Sequence, residues 1–171
     1  MSEESGDPEP FCARCARHQA TCCQNTDIYV TRGDVRRIEA GTGRTDFCDY
    51  RLARNPAYLG QDDDPLWRRL VFRADGTRRV LRQTSGGDCT FLSSSGCTLP
   101  SDIRPVICRL CPFEYTAAGV TGLAPGCPTQ LLRPGEDLIG ILGMSRERAE
   151  ELLRALYVEL LEEEALQCAS V

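Results

Sequence analysis

FCARCARHQATCC, residues 11–23, and CTFLSSSGCTLPSDIRPVICRLCPF, residues 89–113, decide how this chain is read. The first stretch carries Cys12, Cys15, Cys22 and Cys23 with neither a helical nor a strand period, so it reads as a loop built around something. The second carries Cys89, Cys97, Cys108 and Cys111, and Cys127 follows in PGCPTQ. Two thiols separated by two residues, as in Cys12/Cys15 and Cys108/Cys111, can turn both sulfurs toward one metal while intervening amides donate hydrogen bonds to them. Ten of the 11 cysteines lie before residue 130, a density that small buried hydrophobes do not require.

Adjacent Cys22 and Cys23 restrict the geometry, because consecutive side chains on extended backbone point to opposite sides. That leaves two sites, or one spare thiol. Eight thiolates would fill two four-ligand sites, and a four-thiolate zinc or an oxidised four-iron cluster each carries about −2, a charge that nearby guanidinium groups offset. Arg104 and Arg109 are placed for that role, with ordinary carboxylate pairing as the alternative. The single His18 excludes a two-histidine finger and is expected as an exposed imidazole. Zinc and iron–sulfur both accept thiolates at such spacings, so both stand.

A chain of 171 residues suffices for one domain with a sizeable core. The expected division is an acidic, disordered lead over residues 1–10 and a single metal-stapled domain over 11–171, with a helical part at 136–168. No apolar run approaches the ~18 residues of a membrane span, and MSEESGDPEP is acidic where a secretion signal is basic and then apolar. The expected compartment is the cytoplasm, where an odd number of cysteines in reducing surroundings does not make a disulfide framework. Net charge is −5, which argues against wholesale nucleic-acid binding. Arg68, Arg69, Arg73, Arg78, Arg79 and Arg82 nevertheless form a basic stretch, to be met by acidic residues such as Glu162, Glu163 and Glu164 or by a partner.

The fold class expected is α+β: short helices and short antiparallel strands tied at a sulfur centre, with a longer C-terminal helix alongside. Thr31 and Asp34 make a capping-box pair for a short helix that Gly41 ends. A second short helix is expected over Thr45–Arg54. LWRRLVF and VLRQT flank Asp75-Gly76, which predicts a hairpin. SSSG at 93–96 is turn material, Ser101 caps a short helix running to Arg109, and FEYTAAGVTGLAPG predicts a small hairpin with a loop. Ser145 caps the last helix, on which Ala149, Leu152, Leu153, Leu156, Leu160 and Leu161 form one apolar face.

These residues resemble the YkgJ-type cysteine-cluster family, a zinc- or iron-chelating domain. Cys12-x2-Cys15-x6-Cys22-Cys23 is similar to its opening CxxC…CC, VTRGDVRRI to its following helix, and residues 89–113 to its CxFL…GC…RPxxCRxxPF block. The resemblance covers roughly residues 11–128. It implies metal ligands at Cys12, Cys15, Cys22, Cys23, Cys89, Cys97 and Cys108, and its later loop suggests Cys127 as an eighth. Cys111 departs from the pattern: it is an extra ligand, a redox-active thiol or a buried replacement at an apolar site, and the last is the favoured reading. Cys48 and Cys168 have no comparable spacing and are expected as core or surface thiols.

Three functions follow. The first is a metal-binding protein that holds a 4Fe-4S cluster or zinc through clustered thiolates. The second is an enzyme, redox-active or similar to the flagellin lysine-N-methylases that share the cysteine block. The chain shows no glycine-rich nucleotide fingerprint and no GxSxG elbow, and one histidine leaves little for conventional acid–base chemistry. The third is an interaction module, stapled by metal, whose basic stretch binds an acidic protein or RNA.

Overall fold

In a computed structural model, residues 9–18, 21–59 and 63–169 are described. Most of the acidic lead expected at 1–10 lies outside them. Among the described residues the chain is a small α+β fold with six α-helices, α1 (Phe11–His18), α2 (Arg32–Thr42), α3 (Pro65–Val71), α4 (Val106–Leu110), α5 (Leu138–Ile141) and α6 (Arg146–Cys168). Its strands pair as three separate two-stranded antiparallel ribbons: β1 (Cys48–Leu52) with β2 (Thr77–Leu81), β3 (Leu92–Ser93) with β4 (Gly96–Cys97), and β5 (Phe113–Thr116) with β6 (Gly119–Leu123). Among the described residues no helix is long and apolar enough to cross a membrane.

The last helix forms as its sequence predicts. Ser145 Oγ accepts from the Arg148 amide at 3.1 Å, and Ala149, Leu152, Leu153, Leu156 and Leu160 are buried. Leu161 is instead 44% exposed, because it lies about 100° round the helix from Leu160, beyond the buried stripe. That stripe packs against Val106 and Leu110 of α4, Phe113 and Val120 of the β5–β6 ribbon, Tyr29 and Val71. A second apolar cluster contains Ile28, Val30, Ile38, Phe47, Leu81, Cys89, Phe91 and Leu99. Ile107 of α4 touches both clusters, so this short helix stands between them.

Five local expectations are corrected. Residues 11–18 are helical rather than loop; the helix is fixed by burial of Phe11 and Ala13 and by Arg14, whose guanidinium donates to the Leu131 carbonyl and to Glu136, each at 3.0 Å. Helix α2 runs through Gly41 and ends at Gly43, which takes the left-handed conformation at φ 70°. The helix expected at 45–54 is strand β1, because Cys48 to Leu52 find a partner in Leu81 to Thr77, and that pairing outweighs local preference. The Asp75-Gly76 turn exists, with Gly76 at φ 79°, but its first arm is helix α3. Pro65 starts that helix and Asp64 Oδ1 caps it by accepting from the Trp67 amide at 2.9 Å. Ser101 caps no helix; α4 begins only after Pro105.

The β5–β6 hairpin and the turn over 93–96 form where the sequence predicts them. The basic stretch is largely met from within the chain. Arg69 pairs with Glu164, Arg79 with Glu163, and Arg78 and Arg82 approach Asp27 and Asp49 at 3.6 and 3.9 Å. Burial pushes the Glu163 carboxyl up, but the Arg79 guanidinium and the Arg32 amide outweigh it and leave it below its ordinary range. A carboxyl lowered on folding contributes stability above its unfolded pKa and loses it as pH falls through the folded value. Glu163→Gln is therefore expected to cost on the order of 2 kcal/mol at neutral pH and to flatten the loss of stability below about pH 4.5, both read from urea midpoints across pH.

Candidate metal centre

Local backbone contacts bring the sulfurs together from five segments. Helix α1 carries Cys12 and Cys15, one helical turn apart. After it, the Thr21 hydroxyl accepts from the Cys23 amide at 3.2 Å, and the Cys23 carbonyl accepts from the Cys89 amide at 2.7 Å. That bond sets Cys23 beside Cys89, and Gln24 locks the same join by donating to Asp88 Oδ1 at 3.0 Å. Cys97 arrives on β4, paired with Leu92. Cys108 lies in α4, Cys111 ends it, and Cys127 precedes the 3-10 turn Thr129–Leu131 that α1 packs against.

The sulfurs fall into two groups. Cys23, Cys89, Cys97 and Cys108 all belong to the second apolar cluster, where each of Cys23, Cys89 and Cys108 feels the charge of others in the set. Cys12, Cys15, Cys22, Cys111 and Cys127 lie outside that cluster and influence one another electrostatically. Cys22 acts electrostatically on members of both. The adjacent pair thus divides between the groups, and so does Cys108/Cys111, although its CxxC spacing suggested a shared metal. One turn of α4 sends Cys108 into the apolar cluster, and the extended backbone at Cys111 (φ −56°, ψ 132°) turns its sulfur elsewhere.

The electrostatics explain what such packing can do. Two thiol donors, Cys111 and Cys23, hold Cys22 well below the ordinary thiol range against the effect of burial. Donation to Cys22, then burial, pushes Cys23 and Cys111 up. Burial first, and neighbouring sulfurs second, raises Cys12, Cys15, Cys89, Cys108 and Cys127, with Arg104 opposing the shift at Cys12 and Cys111 opposing it at Cys127. Most of these thiols are therefore hard to ionise alone, and a cation among them would favour the thiolate form. Its donor set is sulfur, which selects zinc or iron–sulfur over oxygen-seeking magnesium and calcium. Among the described residues no three Cys, His, Asp or Glu side chains already converge as a set of ligands; the thiols meet pairwise.

His18 is exposed and lies against Gln130, Cys48 sits at the edge of the second cluster on β1, and Cys168 is exposed at the end of α6. Arg104 faces Cys12 while its Nε donates to the Leu99 carbonyl at 2.9 Å. Arg109 turns away toward the Asp102 carbonyl. Cys111 belongs to neither apolar cluster, so the apolar packing favoured for it in the sequence is not what the structure shows.

Asp34, read only as a capping residue, does more than cap α2. Its carboxylate, 0% exposed, accepts from the Thr31 amide at 3.0 Å, pairs with Arg37 at 2.6 Å, and accepts from the Val106 amide at 3.0 Å. One side chain therefore caps the helix of the TRGD segment and the helix that carries Cys108. Glu159 of α6 joins the same network through Arg37 and the Thr31 hydroxyl.

A family model, CxxCxxCC, described as "Putative zinc- or iron-chelating domain", matches residues 11–128. No curated protein and no solved structure matches the chain.

Asp34→Ala strips the caps from two helix starts and leaves buried amides without acceptors, so about 3 kcal/mol of stability is expected to go, with metal held more weakly. Asp34→Asn, which keeps a carbonyl acceptor in place, is expected to lose less. Denaturant midpoints with and without chelator measure both effects.

Proposed function

The chain belongs to the CxxCxxCC family, and from that premise we propose that it holds metal through two neighbouring sets of cysteine thiolates, as zinc or as an iron–sulfur cluster of the 4Fe-4S type. The ligands of this reading are Cys23, Cys89, Cys97 and Cys108 in one set and Cys12, Cys15, Cys22 and Cys127 in the other. The observation that carries it is the division of adjacent Cys22 and Cys23 between two sulfur groups. When bound, the metal would supply the positive charge that lets buried sulfurs ionise. The residues of the chain would do the rest: Asp34 and the Cys23–Cys89 backbone bond hold the sulfurs in place, and Arg104 offsets negative charge at Cys12. The described cysteines are free thiols, which suits a reducing compartment, and the cytoplasm is the one we propose.

Metal binding and folding are expected to be linked. Structural zinc in small domains carries apparent binding free energies of about 10–16 kcal/mol, comparable with the whole stability of a domain. Anaerobic purification, elemental analysis, acid-labile sulfide and visible absorption form the test. A brown protein with iron and sulfide supports the cluster arm, and a colourless one with stoichiometric zinc supports the zinc arm. Cys97→Ser removes a thiol from a set of four and is expected to lower metal content and urea resistance together. A metal-free chain that is fully folded, or a Cys97→Ser variant unchanged in both, overturns the reading.

A further inference from the structure

We propose that strand β1 is a self-association edge, through which two copies of the chain pair antiparallel about a twofold axis at Tyr50. The inference stands apart from the thiolate reading above, since Cys48, the cysteine of β1, belongs to neither ligand set.

Backbone phase decides which groups of β1 are available. One edge of β2 is bonded to the segment before α2, because the Val30 amide donates to the Arg79 carbonyl at 3.1 Å and the Leu81 amide to the Ile28 carbonyl at 2.8 Å. Successive residues of a strand present their amides and carbonyls to opposite edges, so Arg78 and Val80 face β1, where Arg51 and Asp49 stand opposite them. The Arg82 amide continues the ladder by donating to the Phe47 carbonyl at 2.7 Å. The amides and carbonyls of Cys48, Tyr50 and Leu52 therefore point away from β2, along an edge that no described strand covers. Among the described residues only the Tyr50 amide of that row has a partner, Asp49 Oδ1 at 2.8 Å. Neither a proline nor a bulge interrupts the row, and Leu52 is 65% exposed, so the edge is a template for another strand.

The charges on this edge are self-complementary, which makes a second copy its occupant. With Tyr50 opposite Tyr50 and Cys48 opposite Leu52, the outward amides and carbonyls of the two copies meet each other. Asp49 then falls directly across from Arg51 of the second copy, and Arg51 from its Asp49, in the non-hydrogen-bonded positions where cross-strand side chains stand closest. Sliding the pairing by one hydrogen-bonded step sets Asp49 against Asp49 or Arg51 against Arg51, so charge selects a single register. Both side chains are accessible, Asp49 at 41% and Arg51 at 34%, and within one chain they meet only loosely, with Arg51 Nε 3.6 Å from Asp49 Oδ2.

The test is sedimentation velocity on the full chain over a concentration series, purified anaerobically and kept reduced so that no intermolecular disulfide forms. Hydrogen exchange over residues 48–52 locates the contact, and circular dichroism confirms folding of each variant. The unaltered chain is expected to dimerise as concentration rises, with the Cys48 and Leu52 amides exchanging more slowly in the dimer. Asp49→Arg sets arginine against arginine and Arg51→Asp sets aspartate against aspartate, so each variant alone is expected to associate at least about tenfold more weakly. Mixed in equal amounts, the two variants restore opposite charges at every cross-strand position and are expected to form a heterodimer about as tight as the original dimer. A chain that stays monomeric throughout the series overturns the proposal and leaves the edge to an extended segment of some other protein. A dimer indifferent to both reversals, a mixture that fails to recover, or a dimer whose Cys48 and Leu52 amides exchange as in the monomer overturns it as well, because the contact then lies elsewhere.

Discussion

Buried sulfur cannot hold much negative charge without a cation, and the architecture of this chain is arranged around that constraint. Most of its helices and strands are short; α4 and α5 have five and four residues, and two of the ribbon strands have two. Elements of that size are too short to persist alone, because the cost of starting a helix or a ribbon is spread over few hydrogen bonds. What several of them share is a cysteine: α1, the 21–23 turn, the β3–β4 ribbon, α4 and the loop at Cys127 each carry at least one. Membership of a zinc- or iron-chelating family gives that gathering its chemistry.

The other organising residue is Asp34, and it works at a distance from the sulfurs. Burying a carboxylate is costly unless its oxygens are hydrogen-bonded, and this one is satisfied by amides of two helices and by Arg37. Even so, burial leaves its pKa above the ordinary value, which shows how much desolvation the hydrogen bonds must offset. Its position couples the apolar and sulfur halves of the molecule: Val106, whose amide it holds, packs on α6, and Cys108, two residues on, packs among the thiols.

The parts legible in the sequence are those where one local rule decides. The capping box at Thr31 and Asp34, the Ser145 cap, the leucine stripe of α6 and the β5–β6 hairpin each need only a few neighbouring residues. Strand β1 was not legible, because Cys48 to Leu52 become a strand only through a partner more than twenty residues away. Helix α3 was hidden by a run of arginines and apolar residues that suits either structure, although Asp64-Pro65 was an available start signal. Helix α1 escaped because its buried residues are Phe11 and Ala13, with no leucine stripe to set a period.

By itself the sequence determined that sulfur chemistry governs this protein, since thiol density, CxxC spacing and the adjacent cysteines are properties of the chain as written. It also raised a division of Cys22 from Cys23 on the premise of extended backbone, but the pair lies in a turn closed by the Gln24 amide donating to the Thr21 carbonyl at 3.0 Å. Only the tertiary structure decided which sulfurs are neighbours. The CxxC at Cys108 is split, with Cys108 packed on the second apolar cluster and Cys111 outside it, because α4 is a short turn that ends on Cys111. Spacing fixes how far apart two sulfurs can be, whereas the direction each one faces depends on what packs around the turn that carries them.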